Sequence, residues 1–398
     1  MIPSYFRYLL SQKRDAEVAN TSTHGRFRMP ESLRKIHFSD SPSWPHLTPK
    51  RDSALHSYLS AYELIQAGKR LDLATSYLQR AARLWKERGR REEASWAFLL
   101  HRELHDTPEH LRPEVLALVP LFFKRIRPDN LTLTKNISYS DLPRGSKYSL
   151  DIYSPRGARN FPVVIFYHGG GLTCGDKDQM WGSADVYANL GRYLASFGIG
   201  VVMTNYPLIP DVNYTQQVAA ASQSLKWVGE NIERWGGDPD RLFIAGYSAG
   251  GHLALRVALE TQILIRGIVL ISGSRLNLST DSEAYRLSPF YYLASSAERF
   301  AGNTSKDQWQ VEASPSLLVQ SSPLVPPTLL LYGKREDPIL QWQSEDLNRA
   351  IISAGGSSQL MRVSGTPISP HAAMMLTLSG QDKSTGPAMV KFIKSQIN

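Results

Sequence analysis

The chain has 398 residues, of which 42% are apolar, 20% are charged and 10% are aromatic. This composition excludes a disordered chain and a disulfide-stapled miniprotein, and the length suffices for about two domains. The net charge is +9, and residues 1–140 carry 23 Lys and Arg against 15 Asp and Glu. The positive excess therefore lies in the front of the chain. A solvated surface is favoured there over an anionic membrane surface, and no nucleic-acid partner is predicted.

Cys174 is the only cysteine, so neither an intrachain disulfide nor a thiolate metal cluster is possible. The spacings of nucleotide-binding glycine motifs are absent, and we predict neither a metal nor a cofactor. No apolar run has the length of a signal-peptide core or of a membrane-spanning helix. These observations predict a cytoplasmic protein, and they say nothing about its oligomeric state.

The first part of the chain predicts helices behind a polar arm. Residues 1–50 show no sustained periodicity and are interpreted as a loosely ordered basic arm. Residues 51–128 carry apolar side chains at helical spacing, with Gly68 and Gly89 as helix stops. The stretch with its recurring alanines resembles tetratricopeptide helix pairs, but it contains too few repeats for a stable tetratricopeptide array. A helical cap on the next domain is favoured.

Residues 129–398 alternate strand and helix patterns, which predicts an α/β domain with a mostly parallel sheet flanked by helices. Two early strands joined at Pro143-Arg144-Gly145 predict an antiparallel edge. An insertion is expected at about 273–326, where Ser, Pro and aromatic residues interrupt the alternation of strand and helix patterns. The predicted strands are Leu131–Ser138, Tyr148–Tyr153, Val163–Tyr167, Ile199–Tyr206, Leu242–Tyr247, Ile268–Ser272, Thr328–Tyr332 and Gln359–Val363.

A nucleophile motif, Gly246-Tyr247-Ser248-Ala249-Gly250, follows one of these strands and opens a helix. Glycine on both sides lets Ser248 take a strained conformation that exposes its hydroxyl. A second motif, His168-Gly169-Gly170-Gly171, follows the strand Val163–Tyr167. The N–H groups of Gly170, Gly171 and Ala249 are predicted to stabilise the oxyanion of a tetrahedral intermediate, with His168 and Gly169 as supporting residues of the motif.

A serine hydroxyl needs a base to take its proton, and the base needs a carboxylate to orient it. His168 belongs to the glycine motif and His252 lies one helical turn after the serine, which leaves His371, in a predicted loop near the C-terminus. We predict Asp337 as the acid because it follows a strand and precedes His371 by one helix and one strand. Glu336 remains the alternative, since a loop turned by one residue would present it instead.

The order Ser, Asp, His, with HGGG upstream of GYSAG, resembles the α/β-hydrolase superfamily. The segments YHGGG, GGDPDRLFIAGYSAGGHLA and YGKREDP are similar to its HGGG group. That group includes hormone-sensitive-lipase-like esterases, kynurenine formamidases and prenylcysteine methylesterases. The resemblance implies the α/β-hydrolase fold over roughly 131–398, here with an N-terminal helical extension. Tyr247 departs from the pattern, because Asp or His often precedes the nucleophile.

Together these features predict a carboxylesterase-type serine hydrolase that acts on small or medium acyl esters through an acyl-enzyme. Two other activities stay open: hydrolysis of a reactive amide, as in formamidases, and lipase-like cleavage of membrane-derived esters. A non-enzymatic scaffold is less favoured, because a scaffold needs neither His371 nor the glycine motif.

Overall fold

The structure is a computed structural model, and it divides the chain into two compact units, residues 1–107 and 108–398. The predicted arm, residues 1–50, lies outside the residues that the structure describes. The described residues are 53–66, 71–89, 97, 119, 123–141, 147–209, 211–279, 308–322, 325–334, 336, 338–363, 370–378 and 384–397.

The described part of the first unit is a pair of packed helices, α1 (Ser53–Gln66) and α2 (Leu71–Glu87). The rings of Tyr58 and Trp85 lie 5.4 Å apart between them, and both side chains are fully buried. Small buried residues on both helices, among them Ala61 and Ala81, permit this close approach. Two helices are therefore present where the sequence predicts helices, and residues 98–118 of the predicted helical region lie outside the described residues.

The second unit contains one eight-stranded sheet with the strand order β1-β2-β4-β3-β5-β6-β7-β8. Strands β1 and β2 are antiparallel to their neighbours, and all other pairs are parallel. The strands are β1 (Leu131–Ser138), β2 (Ser149–Pro155), β3 (Phe161–Tyr167), β4 (Gly200–Thr204), β5 (Gly237–Tyr247), β6 (Ile265–Ile271), β7 (Thr328–Gly333) and β8 (Ser358–Val363).

Helices cover both faces of this sheet. Side chains alternate between the two faces along each buried strand, so both faces carry apolar side chains that must be shielded from water. In β3, Val163 and Ile165 belong to a core shared with the helices on one face, whereas Val164 and Phe166 belong to the core on the other. The helices are α3 (Val186–Ala195), α4 (Tyr214–Asn231), α5 (Ala249–Glu260), α6 (Gln308–Glu312), α7 (Pro315–Leu318), α8 (Pro338–Ser353), α9 (Pro370–Thr377) and α10 (Thr385–Ser395), with a 3₁₀ turn at Ile232–Trp235.

The structure confirms the predicted α/β architecture, including all eight strands and the antiparallel edge. The turn Pro143-Arg144-Gly145 and residues 280–307 of the predicted insertion lie outside the described residues.

One local prediction is wrong: His371 belongs to the first turn of α9 and not to a loop, since the helix begins at Pro370. Proline is favoured in a first helical turn because its missing N–H is unpaired there anyway. None of the described helices is long and apolar enough to cross a membrane.

Candidate active site

Ser248 lies at the sharp turn between β5 and α5, with φ 54° and ψ −121°. It is partly exposed, whereas Tyr247 and Ala249 on either side are buried. A Cβ on Gly246 or on Gly250 would overlap backbone atoms of a neighbouring segment. Glycine at both positions is therefore required for the turn that presents the serine hydroxyl, as the sequence predicts.

The backbone of Ser248 is tied to the segment that follows β6. Its N–H donates to the carbonyl of Ile271 at 2.9 Å, and its own carbonyl accepts from the N–H of Ser274 at 3.1 Å. A Cβ on Gly251 would lie only 3.1 Å from Cα of Gly273. The end of β6 and the loop after it are thus packed directly against the turn that carries Ser248.

His371 is paired with a buried carboxylate. Its Nδ1 lies 2.5 Å from Oε1 of Glu336, a residue with only 2% of its surface exposed. The second oxygen, Oε2, accepts from the hydroxyl of Ser272 at 2.9 Å and from the N–H of Gly333 at 3.0 Å. The carboxylate is held from three segments of the chain, and its bond to Nδ1 leaves Nε2 as the ring nitrogen that would take up a proton.

The carboxylate at His371 therefore belongs to Glu336, the alternative to Asp337, which the sequence favoured. Asp337 itself lies outside the described residues. The physical reason is the turn after β7, in which the N–H of Glu336 donates to the carbonyl of Gly333 at 3.0 Å. That turn brings Glu336 back over the end of its own strand, beside Ser272 at the end of β6. No periodicity in the sequence reveals which residue of a tight turn faces inward.

Tyr247 makes two contacts with His371 that the sequence did not reveal. Its ring stacks on the imidazole of His371, with centroids 4.8 Å apart and planes at 29°. Its hydroxyl donates to the backbone carbonyl of His371 at 3.1 Å. Because Tyr247 immediately precedes Ser248, these two contacts place His371 next to the turn that carries Ser248. The one departure from the family pattern in this motif is therefore a residue in contact with His371.

The glycine motif turns away from β3 with Gly170 at φ 122° and Gly171 at φ 64°. The carbonyl of Gly170 accepts from the N–H groups of Thr173 and Cys174, at 3.2 and 3.0 Å, so it points back into its own loop. Among the described residues, none accepts a hydrogen bond from the N–H of Gly170 or Gly171. These donors, with the N–H of Ala249 at the start of α5, are available to a ligand.

His168 is buried at the start of this loop and is not a candidate base. It is fully buried and stacks on Tyr206 with ring centroids 4.3 Å apart. Its Nδ1 lies 2.7 Å from the carbonyl of Gly169, while the hydroxyl of Tyr206 donates to the carbonyl of His168 at 2.7 Å. Burial lowers the pKa of His168 to about 4, so the ring is neutral at physiological pH.

His252, the third histidine of the predicted catalytic domain, is also buried and neutral. Its Nδ1 lies 2.8 Å from the carbonyl of Arg275, and its Nε2 lies 2.7 Å from the hydroxyl of Tyr214. Burial lowers its pKa to about 3. His252 therefore links α4, α5 and the loop after β6.

Ion pairs fix the chain just after the glycine motif, and the pair between Lys177 and Asp151 is buried. Nζ of Lys177 lies 3.0 Å from Asp151 of β2 and 2.7 Å from Asp178. Nearby, Lys147 pairs with Asp176 at 2.7 Å. The alternating charges of the segment Asp176-Lys177-Asp178 were the signal for these ion pairs in the sequence.

The described residues contain no group of three His, Cys, Asp or Glu side chains placed to hold a metal ion.

Known proteins with similar sequences are esterases. An isoprenylcysteine alpha-carbonyl methylesterase of Arabidopsis thaliana is 29% identical over 245 residues, which cover 58% of this chain and 55% of the relative. A carboxylesterase of Mycobacterium tuberculosis is 37% identical over 108 residues, which cover 27% of this chain and 32% of the relative. The chain thus spans about half the length, or less, of these curated relatives.

Among solved structures, an inhibited esterase B of Lactobacillus rhamnosis matches with a TM-score of 0.57 at 24% identity, covering 76% of this chain and 94% of that chain. At this level of identity the likeness concerns the fold. The sequence profile of the α/β hydrolase fold matches residues 164–373, which include the glycine motif, Ser248, Glu336 and His371. The match extends over more than half of the chain, and the chain belongs to the α/β hydrolase fold family.

Proposed function

We propose that this protein is a carboxylesterase-type serine hydrolase with Ser248 as nucleophile, His371 as general base and Glu336 as the orienting acid. The observation that carries the proposal is the position of His371. Its Nδ1 is bonded to the buried Glu336 and its ring is stacked on Tyr247, the residue next to Ser248. Glu336 replaces Asp337, which the sequence favoured, in this assignment.

The chemistry follows from these positions. His371 Nε2 takes the hydroxyl proton of Ser248 as the oxygen attacks the ester carbonyl, and the charge on the imidazole is stabilised by Glu336. The tetrahedral oxyanion is bound by the N–H groups of Gly170, Gly171 and Ala249. The alcohol leaves with the proton from His371, and a water molecule activated by the same histidine then hydrolyses the acyl-enzyme.

The names of the relatives support an ester as the substrate. Two similar proteins are a methylesterase and a carboxylesterase. We propose esters of small or medium acyl groups, as expected from the sequence.

Labelling by a fluorophosphonate probe tests the nucleophile directly. We expect the probe to label the full-length protein and not the Ser248→Ala variant, and we expect that variant to lose ester hydrolysis by about 10⁴-fold or more. Ser222→Ala, on α4, is the matched control and should keep both labelling and activity. Persistent labelling of the Ser248→Ala protein, or activity within about tenfold of the parent, would reject Ser248 as the nucleophile.

A series of p-nitrophenyl esters of increasing chain length, with an acyl anilide beside it, tests the substrate class. We expect the highest kcat/KM on short or medium acyl esters and a much lower value on the anilide. Preference for the anilide would favour a formamidase-type activity, and preference for long chains would favour a lipase-like one.

A further inference from the structure

The peptide bond between His168 and Gly169 is hydrogen-bonded at both ends by buried tyrosines. Its carbonyl oxygen accepts from the hydroxyl of Tyr206 at 2.7 Å, and its N–H donates to the hydroxyl oxygen of Tyr187 at 3.0 Å. Tyr206 is fully buried and Tyr187 is 2% exposed. Burial raises the pKa of Tyr206 well above its usual value, so its hydroxyl stays protonated and donates. A rotation of this peptide would break both hydrogen bonds.

Both tyrosines belong to elements of the sheet domain that are separate from the glycine motif. Tyr206 lies two residues after the end of β4, the strand that pairs with β3. Tyr187 is the second residue of α3. Its ring centroid lies 5.8 Å from that of Phe166 in β3 and 6.4 Å from that of Trp181. The positions of the two hydroxyls are therefore set by packing outside the motif.

The next peptide, between Gly169 and Gly170, carries the first of the N–H groups proposed to bind the oxyanion. Its carbonyl oxygen lies 2.7 Å from Nδ1 of His168, whose ring stacks on that of Tyr206. In a trans peptide the N–H points away from the carbonyl, so the Gly170 N–H points away from the His168 ring. A Cβ on Gly169 would lie 2.8 Å from the ring of Tyr247, so this segment has little space in which to rotate. The direction of the donor thus depends on the peptide that the two tyrosines hold.

We propose that Tyr187 is a positioning residue of the esterase reaction, which together with Tyr206 locks the peptide between His168 and Gly169 and so directs the oxyanion donors of the glycine motif. This inference rests on the proposed function. Tyr187 is buried and acts through the Gly169 N–H. An oxyanion donor accelerates the reaction only if it points at the oxygen of the transition state. A small rotation of the loop therefore weakens the oxyanion hole and leaves the nucleophile and the base unchanged.

Tyr187→Phe tests this role, because it keeps the ring and removes the acceptor of the Gly169 N–H. The informative quantity is the ratio of kcat/KM for p-nitrophenyl acetate to that for p-nitrophenyl thionoacetate, in which sulfur replaces the carbonyl oxygen. Sulfur is a weak hydrogen-bond acceptor, so the thionoester gains little from the oxyanion donors. We expect Tyr187→Phe to lower kcat/KM on the oxygen ester by about tenfold and the ratio by about threefold or more. The pKa of the base in the pH profile of kcat/KM should not change.

Two further variants separate this role from a structural one. Tyr139→Phe also removes a buried hydroxyl, one that donates to the carbonyl of Asn205 at 3.0 Å, and it should leave the ratio and kcat/KM unchanged. Tyr247→Phe removes a hydroxyl that donates to the carbonyl of His371, so it should slow both esters equally and leave the ratio unchanged.

Failure of this inference is distinguishable from failure of the proposed function. An unchanged ratio in Tyr187→Phe, whether both esters slow equally or neither slows, overturns the role of Tyr187 and leaves the esterase assignment standing. If the parent protein hydrolyses neither ester and is not labelled by the fluorophosphonate probe, both proposals fall. If Tyr187→Phe does not fold, Tyr206→Phe decides, because it removes the bond at the other end of the same peptide. Its ratio should fall as well, and an unchanged ratio would overturn the proposal.

Discussion

Two regions of the site are built in different ways. The region proposed to hold the nucleophile, here called the nucleophile region, comprises residues 168–171 and 246–251 and presents its groups through the backbone: a serine at φ 54° and N–H groups of glycines at φ 122° and 64°. The region proposed to hold the acid and the base, here called the acid–base region, is made of Ser272, Gly333, Glu336 and His371. It depends on the Glu336 carboxylate, which is hydrogen-bonded by groups from three segments of the chain. The geometry of the nucleophile region is determined by local sequence, whereas the geometry of the acid–base region is determined by contacts between segments that are distant in the chain.

This difference predicts different sensitivities. A backbone-built site fails when a side chain is added where none fits, because the loop must move as a unit. A site built from side chains fails when a charge or a hydrogen-bond partner is removed, even if its shape stays the same.

The largest expected effect within the acid–base region comes from Glu336→Gln. The new amide can still accept from Ser272 and Gly333 through its oxygen, but it then turns an NH₂ group toward Nδ1 of His371, which holds a proton in the active tautomer. We expect kcat on a short ester to fall by roughly 10²–10⁴, with the fold retained by circular dichroism.

Asp337→Asn is the matched control for this variant, since it removes one carboxylate from the adjacent position. Its kcat should stay within about threefold of the parent. A larger loss for Asp337→Asn than for Glu336→Gln would restore the acid that the sequence favoured.

The same two regions explain what the sequence predicts and what it leaves open. The strand before Gly246, the helix after Gly250 and the glycine motif after β3 are local patterns, and the structure has each of them where expected. The choice between Glu336 and Asp337 depends on a turn closed by a hydrogen bond to Gly333, and it has no local signature. The stacking of Tyr247 on His371 joins residues 124 positions apart, so a single sequence gives no sign of it.

Gly170→Ala tests the backbone dependence of the nucleophile region. A Cβ at this position would overlap the backbone carbonyl of Cys174, and the φ of 122° is strained for any side chain. The loop must shift and take an oxyanion donor with it, so we expect kcat to fall by about 10². Gly198→Ala is the control: its φ of 78° is also positive, but nothing lies within 4 Å of its Cβ. We expect both variants to lower the melting temperature, Gly170→Ala by more, and only Gly170→Ala to lower kcat. Equal kcat values would contradict it.

Acid should destabilise the fold through two buried histidines, His168 in the nucleophile region and His252 directly after it. Burial lowers the pKa of His168 to about 4 and that of His252 to about 3, against about 6.5 in an unfolded chain. Below pH 6.5 the unfolded state therefore binds protons that the folded state does not, and stability falls as the pH falls toward 4. We expect each histidine to cost about 1–2 kcal/mol of unfolding free energy between pH 6.5 and 5.

Denaturant unfolding at several pH values measures this slope. His252→Asn can keep a donor toward the carbonyl of Arg275 and should flatten the slope by about the share of one histidine. His56→Asn, on the exposed surface of α1, is the control and should leave the slope unchanged. An unaltered slope in His252→Asn would show that this residue is not the source of the acid sensitivity.

The smallest expected effect is that of Tyr247→Phe, at the contact between the two regions. The variant keeps the ring that stacks on His371 at 4.8 Å and loses the hydroxyl that donates to the His371 carbonyl at 3.1 Å. One hydrogen bond contributes about 0.5–1.5 kcal/mol, so kcat should fall by about twofold to tenfold with KM nearly unchanged, because the base is less well placed. Tyr139→Phe loses an equivalent bond, to the carbonyl of Asn205 at 3.0 Å, without contacting His371. Tyr139→Phe should lower the free energy of unfolding by about as much as Tyr247→Phe does and leave kcat intact. Equal effects of the two variants on kcat would mean that the Tyr247 hydroxyl supports the fold and not the position of the base.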